Sequence, residues 1–289
     1  MRLPEFLRSL RILHRCLKEA QPDVILNFYE LLPPLYRLLY PQSARYWCIG
    51  HQYTCLLPGF PASQGQHFAR RLFRALSAWT AWGADRLFVL HYAGFQRREG
   101  RALLMPPLLR PELYALQPRQ GEYVLAYAVN YGYAEELKKV AAAHPDWQLR
   151  AFWDHPEHPE PYQAAPNLCF YPLNGAHFLE QLAGAKAFLS TAGFESICEA
   201  LYLGKPLAVL PVAGQYEQHC NAEELLQLGL GQVVQTFHPG VLMGTASATA
   251  ATVHYPNQEE AKKIWQAAFQ EAATPQAERK REMTEFQLK

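Results

Sequence analysis

The residues with the clearest chemical potential lie in a strand–turn–helix segment over residues 187–206. An apolar strand is predicted to end at Ser190, and Thr191, Ala192 and Gly193 then lead directly into a helix. Backbone N–H groups at a helix start lack intrahelical acceptors and lie at the positive end of the helix dipole, so they bind anions. Thr191 and Ser196 add hydroxyl donors, while Gly193 lets a ligand approach and accepts an unusual φ. The segment therefore predicts a phosphate-binding turn.

A carboxylate deeper in that helix indicates a second kind of contact. Glu199 lies about one and a half turns after the helix start. Its negative charge would repel a phosphate, whereas a carboxylate suits a diol. One carboxylate can accept hydrogen bonds from both hydroxyls of a ribose. Glu195 is interpreted as stabilising the first helical turn through the dipole. Taken alone, a plain strand–turn–helix with solvated glutamates explains the segment equally well.

A second polar loop follows the next predicted strand. Glu217 and Gln218 stand at the mouth of another helix, where acceptors and donors suit the hydroxyl pattern of a sugar. Ligands of open α/β sheets bind beyond the carboxyl ends of strands, so we expect the Gly193 turn and the 212–218 loop side by side. An alternative makes Asn221 the N-cap of the helix and Gln218 structural.

Three further places carry groups capable of chemistry. His51 follows an apolar strand, as a cleft residue would, and an imidazole suits deprotonating a hydroxyl. A structural histidine is the commoner explanation for such a residue. Asn130 ends the first strand of the second half and is expected to face the cleft, as a candidate ligand-binding residue. Residues 154–160 hold two histidines and three carboxylates, but the intervening prolines favour a stiff surface loop, and no metal site is predicted.

The elements that position these residues alternate between strands and helices, which predicts parallel α/β sheets. We expect two Rossmann-like doubly wound domains, separated by a proline-rich stretch. They are a partial N-terminal domain over 1–110 and a C-terminal domain over 118–274, with a polar tail over 275–289. The first domain is predicted to be incomplete, because it opens on a helix and shows three clear strands. Apolar surface is therefore expected near residues 23–28 and 45–49. The opening helix is amphipathic and basic, which favours packing on a sheet over lying on a membrane.

Residues 187–231 resemble the donor-binding motif of GT-B glycosyltransferases, closest to the branch of uridine diphosphate (UDP)-sugar transferases. Six positions of the motif have a counterpart in this chain: Gly193 for the glycine, Ser196 for the hydroxyl residue, Glu199-Ala200 for Glu-Ala, Gly204 with Pro206 for Gly-x-Pro, Glu217-Gln218 for the acidic-Gln pair and Asn221-Ala222 for Asn-Ala. Thr191 stands where many members have a phosphate-contacting histidine, and Ala192 replaces the first glycine of the motif.

The resemblance implies a GT-B fold and transfer of a sugar from a nucleotide diphosphate sugar, with UDP as the expected carrier, to a hydroxyl acceptor. It implies phosphate contacts from the Gly193 turn and Ser196, ribose contact from Glu199, and sugar contacts from Glu217 and Gln218. The implied mechanism is direct displacement with inversion, in which the helix start stabilises the leaving diphosphate in place of a metal. No cofactor is expected. The resemblance also assigns the acceptor to the partial domain over 1–110 and the nucleotide sugar to the domain over 118–274. The family's last helix reaches back to the first domain. Two alternatives stay open: a nucleotide-sugar epimerase on the same scaffold, and a truncated non-catalytic binding protein that needs a partner subunit.

Net charge, cysteine spacing and hydropathy limit the partners and the location expected for the protein. A formal net charge of +1 gives no argument for nucleic acid. The six cysteines form no CxxC pair, so reduced thiols and a cytoplasmic location are expected. Because no apolar run is long enough to span a bilayer, membrane contact is expected to be peripheral at most.

Overall fold

The computed structural model describes residues 3–60, 66–243 and 253–274, of which Leu3 and residues 129–131 are described by their backbone only. The chain divides by its contacts into two compact units. Unit 1 comprises Met1–Leu57, Ala75–Pro106 and Pro256–Lys289, and unit 2 comprises Pro58–Arg74 and Pro107–Tyr255.

Unit 1 is built on a five-stranded sheet in the order β1-β2-β3-β5-β4, which is parallel except for β4. Its strands are β1 (Val24–Asn27), β2 (Arg45–Gly50), β3 (Arg86–Leu90), β4 (Arg98–Glu99) and β5 (Ala102–Met105). Its helices are α1 (Leu3–Ala20), α2 (Leu32–Leu39) and the second half of α3 (His67–Thr80), and a final helix, α9 (Gln258–Ala273), also belongs to it.

The central strand β2 shows why this sheet has two apolar faces. Tyr46 and Cys48 are buried in one cluster with residues that follow α3, whereas Trp47 and Ile49 are buried in another with α9. Alternate side chains of a strand point to opposite faces, so a strand that is apolar throughout requires cover on both. The Phe269 ring of α9 provides part of that cover by stacking on Trp47, with centroids 5.5 Å apart.

Helix α9 packs on unit 1, as the family resemblance implies. It begins with a capping box in which Asn257 accepts from the backbone N–H groups of Glu259 and Glu260, while Glu260 accepts from that of Asn257. The range 118–274 expected for the second domain includes this helix, whereas unit 2 ends at Tyr255. Helix α9 belongs to unit 1 because its apolar face covers the first sheet.

Unit 2 is built on a seven-stranded sheet in the order β12-β11-β10-β6-β7-β9-β8, in which β8 alone runs antiparallel to its neighbour. Its strands are β6 (Tyr123–Asn130), β7 (Gln148–Asp154), β8 (Tyr162–Ala165), β9 (Leu168–Pro172), β10 (Ala187–Thr191), β11 (Leu207–Leu210) and β12 (Gln232–Val233). Its helices are α4 (Ala134–Ala143), α5 (Gly175–Gly184), α6 (Phe194–Tyr202), α7 (Tyr216–Gln227) and α8 (Gly240–Met243).

A buried lysine stabilises the edge of the second sheet at which its parallel strands begin, called the amino edge below. Lys205 donates from Nζ to the carbonyl oxygens of Arg119, Ala183 and Ala185, at 2.7, 2.7 and 2.8 Å. Two of these carbonyls lie at the end of α5, where helical carbonyls lack intrahelical partners. Burial lowers the pKa of Lys205 to about 8. The lysine side chain therefore caps α5 and ties it to the segment that precedes β6.

The sequence predicted the second sheet better than the first. The short strands β4 and β5 were not predicted, so unit 1 has five strands rather than three. The expectation of exposed apolar surface over 45–49 is wrong, because α9 and the segment after α3 bury that strand. Near 23–28, Leu26 and Phe28 are indeed exposed. No helix among the described residues is long and apolar enough to cross a bilayer.

Candidate donor site

Strand β10 brings the predicted phosphate turn to the carboxyl edge of the second sheet. The strand is buried from Ala187 to Ser190 and pairs in parallel with both β6 and β11. Gly193 is the N-cap of α6, with φ −77° and ψ 138°. This φ suits any residue, so the expectation of an unusual φ at Gly193 is wrong. A Cβ placed there would meet no atom within 4 Å, so the glycine leaves the helix start open to a ligand.

The two hydroxyl groups expected at this turn both lie next to the start of α6. Thr191 ends β10 and is half-buried, and Ser196 is the third residue of α6 and also half-buried. Both flank the first helical turn, whose N–H groups point out of the helix. Glu195 lies in that first turn and is exposed, which suits the dipole interaction expected for it.

Glu199 is buried and held by an arginine that the sequence did not single out. Arg110 Nε donates to Glu199 Oε1 at 2.6 Å, and Arg110 Nη2 donates to Oε2 at 2.9 Å. The Glu199 side chain is 7% exposed and that of Arg110 is 38% exposed. Burial raises the pKa of Glu199 above its ordinary value, and the Arg110 guanidinium acts in the opposite direction. The pair is a bidentate fork with its carboxylate end inside the protein.

The surroundings of Arg110 fix its orientation. Its Nη1 donates to the carbonyl oxygen of Gly175 at 3.1 Å, at the start of α5. Its guanidinium carbon lies 5.8 Å from the centroid of the Phe178 ring, which in turn lies 4.9 Å from that of Tyr127 in β6. The arginine therefore ties the segment before β6 to both α5 and α6. An arginine in a proline-rich stretch gave no periodic signal, and its role emerges only from the fold.

The second predicted loop lies beside the first. Strands β10 and β11 are parallel neighbours, so the turns that follow them share one edge of the sheet. Asn221 Nδ2 donates to the carbonyl oxygen of Ala192 at 2.9 Å and joins the two loops directly. Asn221 lies inside α7, whose N-cap is Gln215, so the alternative that Asn221 caps this helix is wrong. Gly214, in the same loop, has φ +81°, which favours glycine.

The pair expected to read the sugar stands at the start of α7. Gln218 Oε1 accepts from the backbone N–H of Val212 at 3.1 Å, and Gln218 Nε2 donates to Gln215 Oε1 at 2.7 Å. These two bonds hold the 212–218 loop in place, so Gln218 has a structural role in addition to any contact with a ligand. Glu217 is in the first turn of α7 and is half-buried. Tyr216 packs against Phe73, with ring centroids 5.8 Å apart.

The remaining predicted residues lie elsewhere. Asn130 ends β6, next to β10 in the sheet, and its side chain lies outside the part of the chain that the structure describes. His51 belongs to unit 1, follows β2 and is 3% exposed. Its Nδ1 lies 2.8 Å from the carbonyl oxygen of Leu90. Because a carbonyl only accepts, Nδ1 carries the proton, and in the neutral ring Nε2 is the basic nitrogen.

The histidine-rich loop after β7 is organised by stacking. His158 stacks on both Trp153 and Tyr162, with centroids 5.5 and 4.3 Å apart, and His155 lies 4.6 Å from Trp153. Among the described residues, no group of three or more His, Cys, Asp or Glu side chains could hold a metal ion. The aromatic packing accounts for the loop.

Comparisons with known proteins agree with this architecture. The family model described as glycosyl transferase family 1 matches residues 64–243. No curated protein matches the chain. Similar solved structures include the glycotransferase of kitacinnamycin, with TM-score 0.58 and 21% identity over 91% of this chain and 76% of that chain. The calicheamicin glycosyltransferase CalG4 gives 0.58 and 18% over 91% and 75%. Spinosyn rhamnosyltransferase SpnG, complexed with thymidine diphosphate, gives 0.55 and 16% over 90% and 73%. These matches confirm the expected GT-B fold with two Rossmann-like domains.

Proposed function

This chain belongs to glycosyl transferase family 1, and we propose that it transfers a sugar from a UDP-sugar to a hydroxyl group of an acceptor. The observation that carries the donor assignment is the joining of two loops at one sheet edge by the Asn221–Ala192 hydrogen bond. Ligands of open α/β sheets bind at such edges.

Each part of the donor meets a matching group in this proposal. The start of α6, with Thr191 and Ser196, binds the diphosphate and stabilises it as the leaving group. Glu199 accepts hydrogen bonds from the ribose diol, while Glu217 and Gln218 contact the sugar. Arg110 adds a positive charge beside Glu199, 38% of its side chain being exposed. Asn130 completes the donor set.

On the acceptor side, His51 is proposed as the general base. The Leu90 carbonyl fixes the tautomer with the proton on Nδ1, which leaves Nε2 as the nitrogen that takes a proton from the attacking hydroxyl. Direct attack on the sugar carbon would then expel the nucleoside diphosphate with inversion. The burial of His51 supports a fixed orientation and equally suits a structural role.

The ribose assignment gives a sharp test. Two charge-assisted hydrogen bonds from a diol are each worth about 1.5–3 kcal/mol, or about 3–6 kcal/mol together, so Glu199→Ala should weaken UDP binding by roughly two to four orders of magnitude. A ligand lacking the 2′-hydroxyl loses part of this energy. Wild type should therefore prefer UDP to both 2′-deoxy-UDP and thymidine diphosphate, and Glu199→Ala should lose that preference.

Isothermal titration of the three nucleotides into wild type, Glu199→Ala and Glu195→Ala measures this directly. Glu195→Ala is the matched control, because it removes an exposed carboxylate one turn earlier and should keep the preference. In Glu199→Ala, Arg110 loses its partner and could bind the phosphates of the nucleotide instead. UDP and 2′-deoxy-UDP carry the same phosphates, so the difference between their affinities reports the ribose contact alone. Equal binding of UDP and 2′-deoxy-UDP by wild type would refute the assignment. Epimerised nucleotide sugar formed without an acceptor would favour the epimerase, and binding without turnover would favour the non-catalytic protein.

A further inference from the structure

Helix α1 exposes a compact cationic face. Residues of an α-helix are separated by about 100°, which places the side chains of four basic residues within an arc of roughly 80°. All four are exposed: Arg8, Arg11, Arg15 and Lys18. The opposite side carries the buried Leu10. The helix is therefore packed on the protein and still presents a positive stripe to the outside.

The four basic side chains of this stripe lack ion-pair partners in the described part of the chain. None of the four basic side chains forms a hydrogen bond or an ion pair with another described residue. Glu5 and Glu19 lie at one rim of the stripe and leave α1 with a net charge of +2. By contrast, Lys138 and Lys262, exposed on other helices, are each paired with a glutamate one turn earlier.

Apolar side chains flank the stripe on both sides. Leu7 is 43% exposed and Ile12 is 44% exposed, on opposite borders of the arc. Helix α2 packs beside α1, where His14 stacks on Tyr40, the C-cap residue of α2, with centroids 4.2 Å apart. Two consecutive α2 residues are more than half exposed, Leu38 at 54% and Leu39 at 53%. Cations bordered by exposed leucine and isoleucine are typical of helices that lie in a lipid interface.

We propose that the exposed face of α1, with Leu38 and Leu39 of α2, docks on an anionic lipid surface. The basic residues meet the headgroup phosphates, and the flanking apolar side chains enter the boundary with the acyl chains. The apolar borders favour a bilayer over a nucleic acid, which offers only charge at its backbone. This assignment is independent of the donor site in unit 2.

Vesicle sedimentation with the full chain tests the proposal. The probes are phosphatidylcholine vesicles with and without about 30% phosphatidylglycerol. Binding is expected only with the anionic lipid, and it should weaken from about 0.05 to 0.5 M salt. Each basic residue near an anionic surface contributes about 1 kcal/mol, so Arg11→Gln with Arg15→Gln should lower the partition coefficient about thirtyfold. Lys138→Gln with Lys139→Gln, an equal charge change on α4, should leave it unchanged.

The apolar contribution needs its own variant. Leu7→Ser with Ile12→Ser should weaken binding about five- to tenfold at constant charge. Because the substituted positions of α1 are exposed and Lys138 and Lys139 are not buried, circular dichroism should show unaltered folding. Equal binding to neutral vesicles, no binding to anionic ones, or equal loss from the α4 variant would each overturn the proposal. Tighter binding to duplex RNA or DNA would assign the face to a nucleic acid instead. A dimer in sedimentation velocity that Arg11→Gln with Arg15→Gln dissolves would assign it to a second copy.

Discussion

The Arg110–Glu199 pair predicts an unequal response to removing either partner. Arg110→Met leaves the Glu199 carboxylate, 7% exposed, without its two donors. Glu199→Gln leaves Arg110, which is 38% exposed and keeps its bond to the Gly175 carbonyl. A buried charge that loses its partner costs far more than a charge that reaches water. We therefore expect Arg110→Met to be the more destabilising change.

The magnitudes follow from burial. Breaking a fully buried pair costs about 3–5 kcal/mol, and the exposed end of Arg110 reduces this to about 2–3 kcal/mol for Arg110→Met. Glu199→Gln should cost about 1 kcal/mol, because the amide oxygen still accepts one bond from the guanidinium. In the double variant both charges are gone, so its cost should be about 1–2 kcal/mol less than the sum of the two single costs.

Acidification supplies a second readout with a definite sign. Without Arg110, burial alone acts on Glu199 and raises its pKa further above the ordinary value. The folded variant then binds a proton at a pH where the unfolded chain does not, so its stability increases as the pH falls through that raised pKa. The penalty of Arg110→Met should be smaller at about pH 5.5 than at about pH 7.5.

Urea denaturation of the wild type, both single variants and the double variant, at both pH values, gives these free energies. The reasoning is refuted if Glu199→Gln costs as much as Arg110→Met at the higher pH, or if the two costs simply add. A penalty for Arg110→Met that does not change with pH would show that Glu199 is not the group left uncompensated.

Two further predictions concern the amino edge of the second sheet and His51 of unit 1. Lys205→Met should lower the free energy of unfolding, measured in urea, by about 2–4 kcal/mol, because three carbonyls lose their donor. The control Lys138→Met removes a surface ion pair and should change this free energy by less than about 0.5 kcal/mol, so equal effects would contradict the capping role of Lys205. His51→Gln should lower kcat of sugar transfer by roughly two to four orders of magnitude while the affinity for UDP stays unchanged; retained activity in initial-rate assays would leave His51 a structural residue.

The sequence predicted correctly the strand and the helix that carry the candidate phosphate turn. Thr191, Gly193 and Ser196 are fixed by one strand and the helix that follows, and a strand–turn–helix segment carries its own signal. Arg110 is 89 residues from Glu199 along the chain, so their pairing depends on the packing of three separate elements. The buried face of β2 was missed for the same reason. Its cover comes from α9, more than two hundred residues later, as the bond from Arg45 to the Ala272 carbonyl shows.

The arginine also changes how Glu199 can act on a nucleotide. A carboxylate offers about four lone-pair positions, and Arg110 uses one on each oxygen. Two positions therefore remain, the number a ribose diol needs, so arginine and ribose need not compete. Burial alone would favour a neutral carboxyl group, which is a weaker acceptor. Arg110 acts against that effect and favours the charged form of Glu199. At a side chain that is 7% exposed, a charge-assisted bond to a hydroxyl would be stronger than in water. The proposed ribose contact of Glu199 is therefore compatible with the bidentate bond from Arg110.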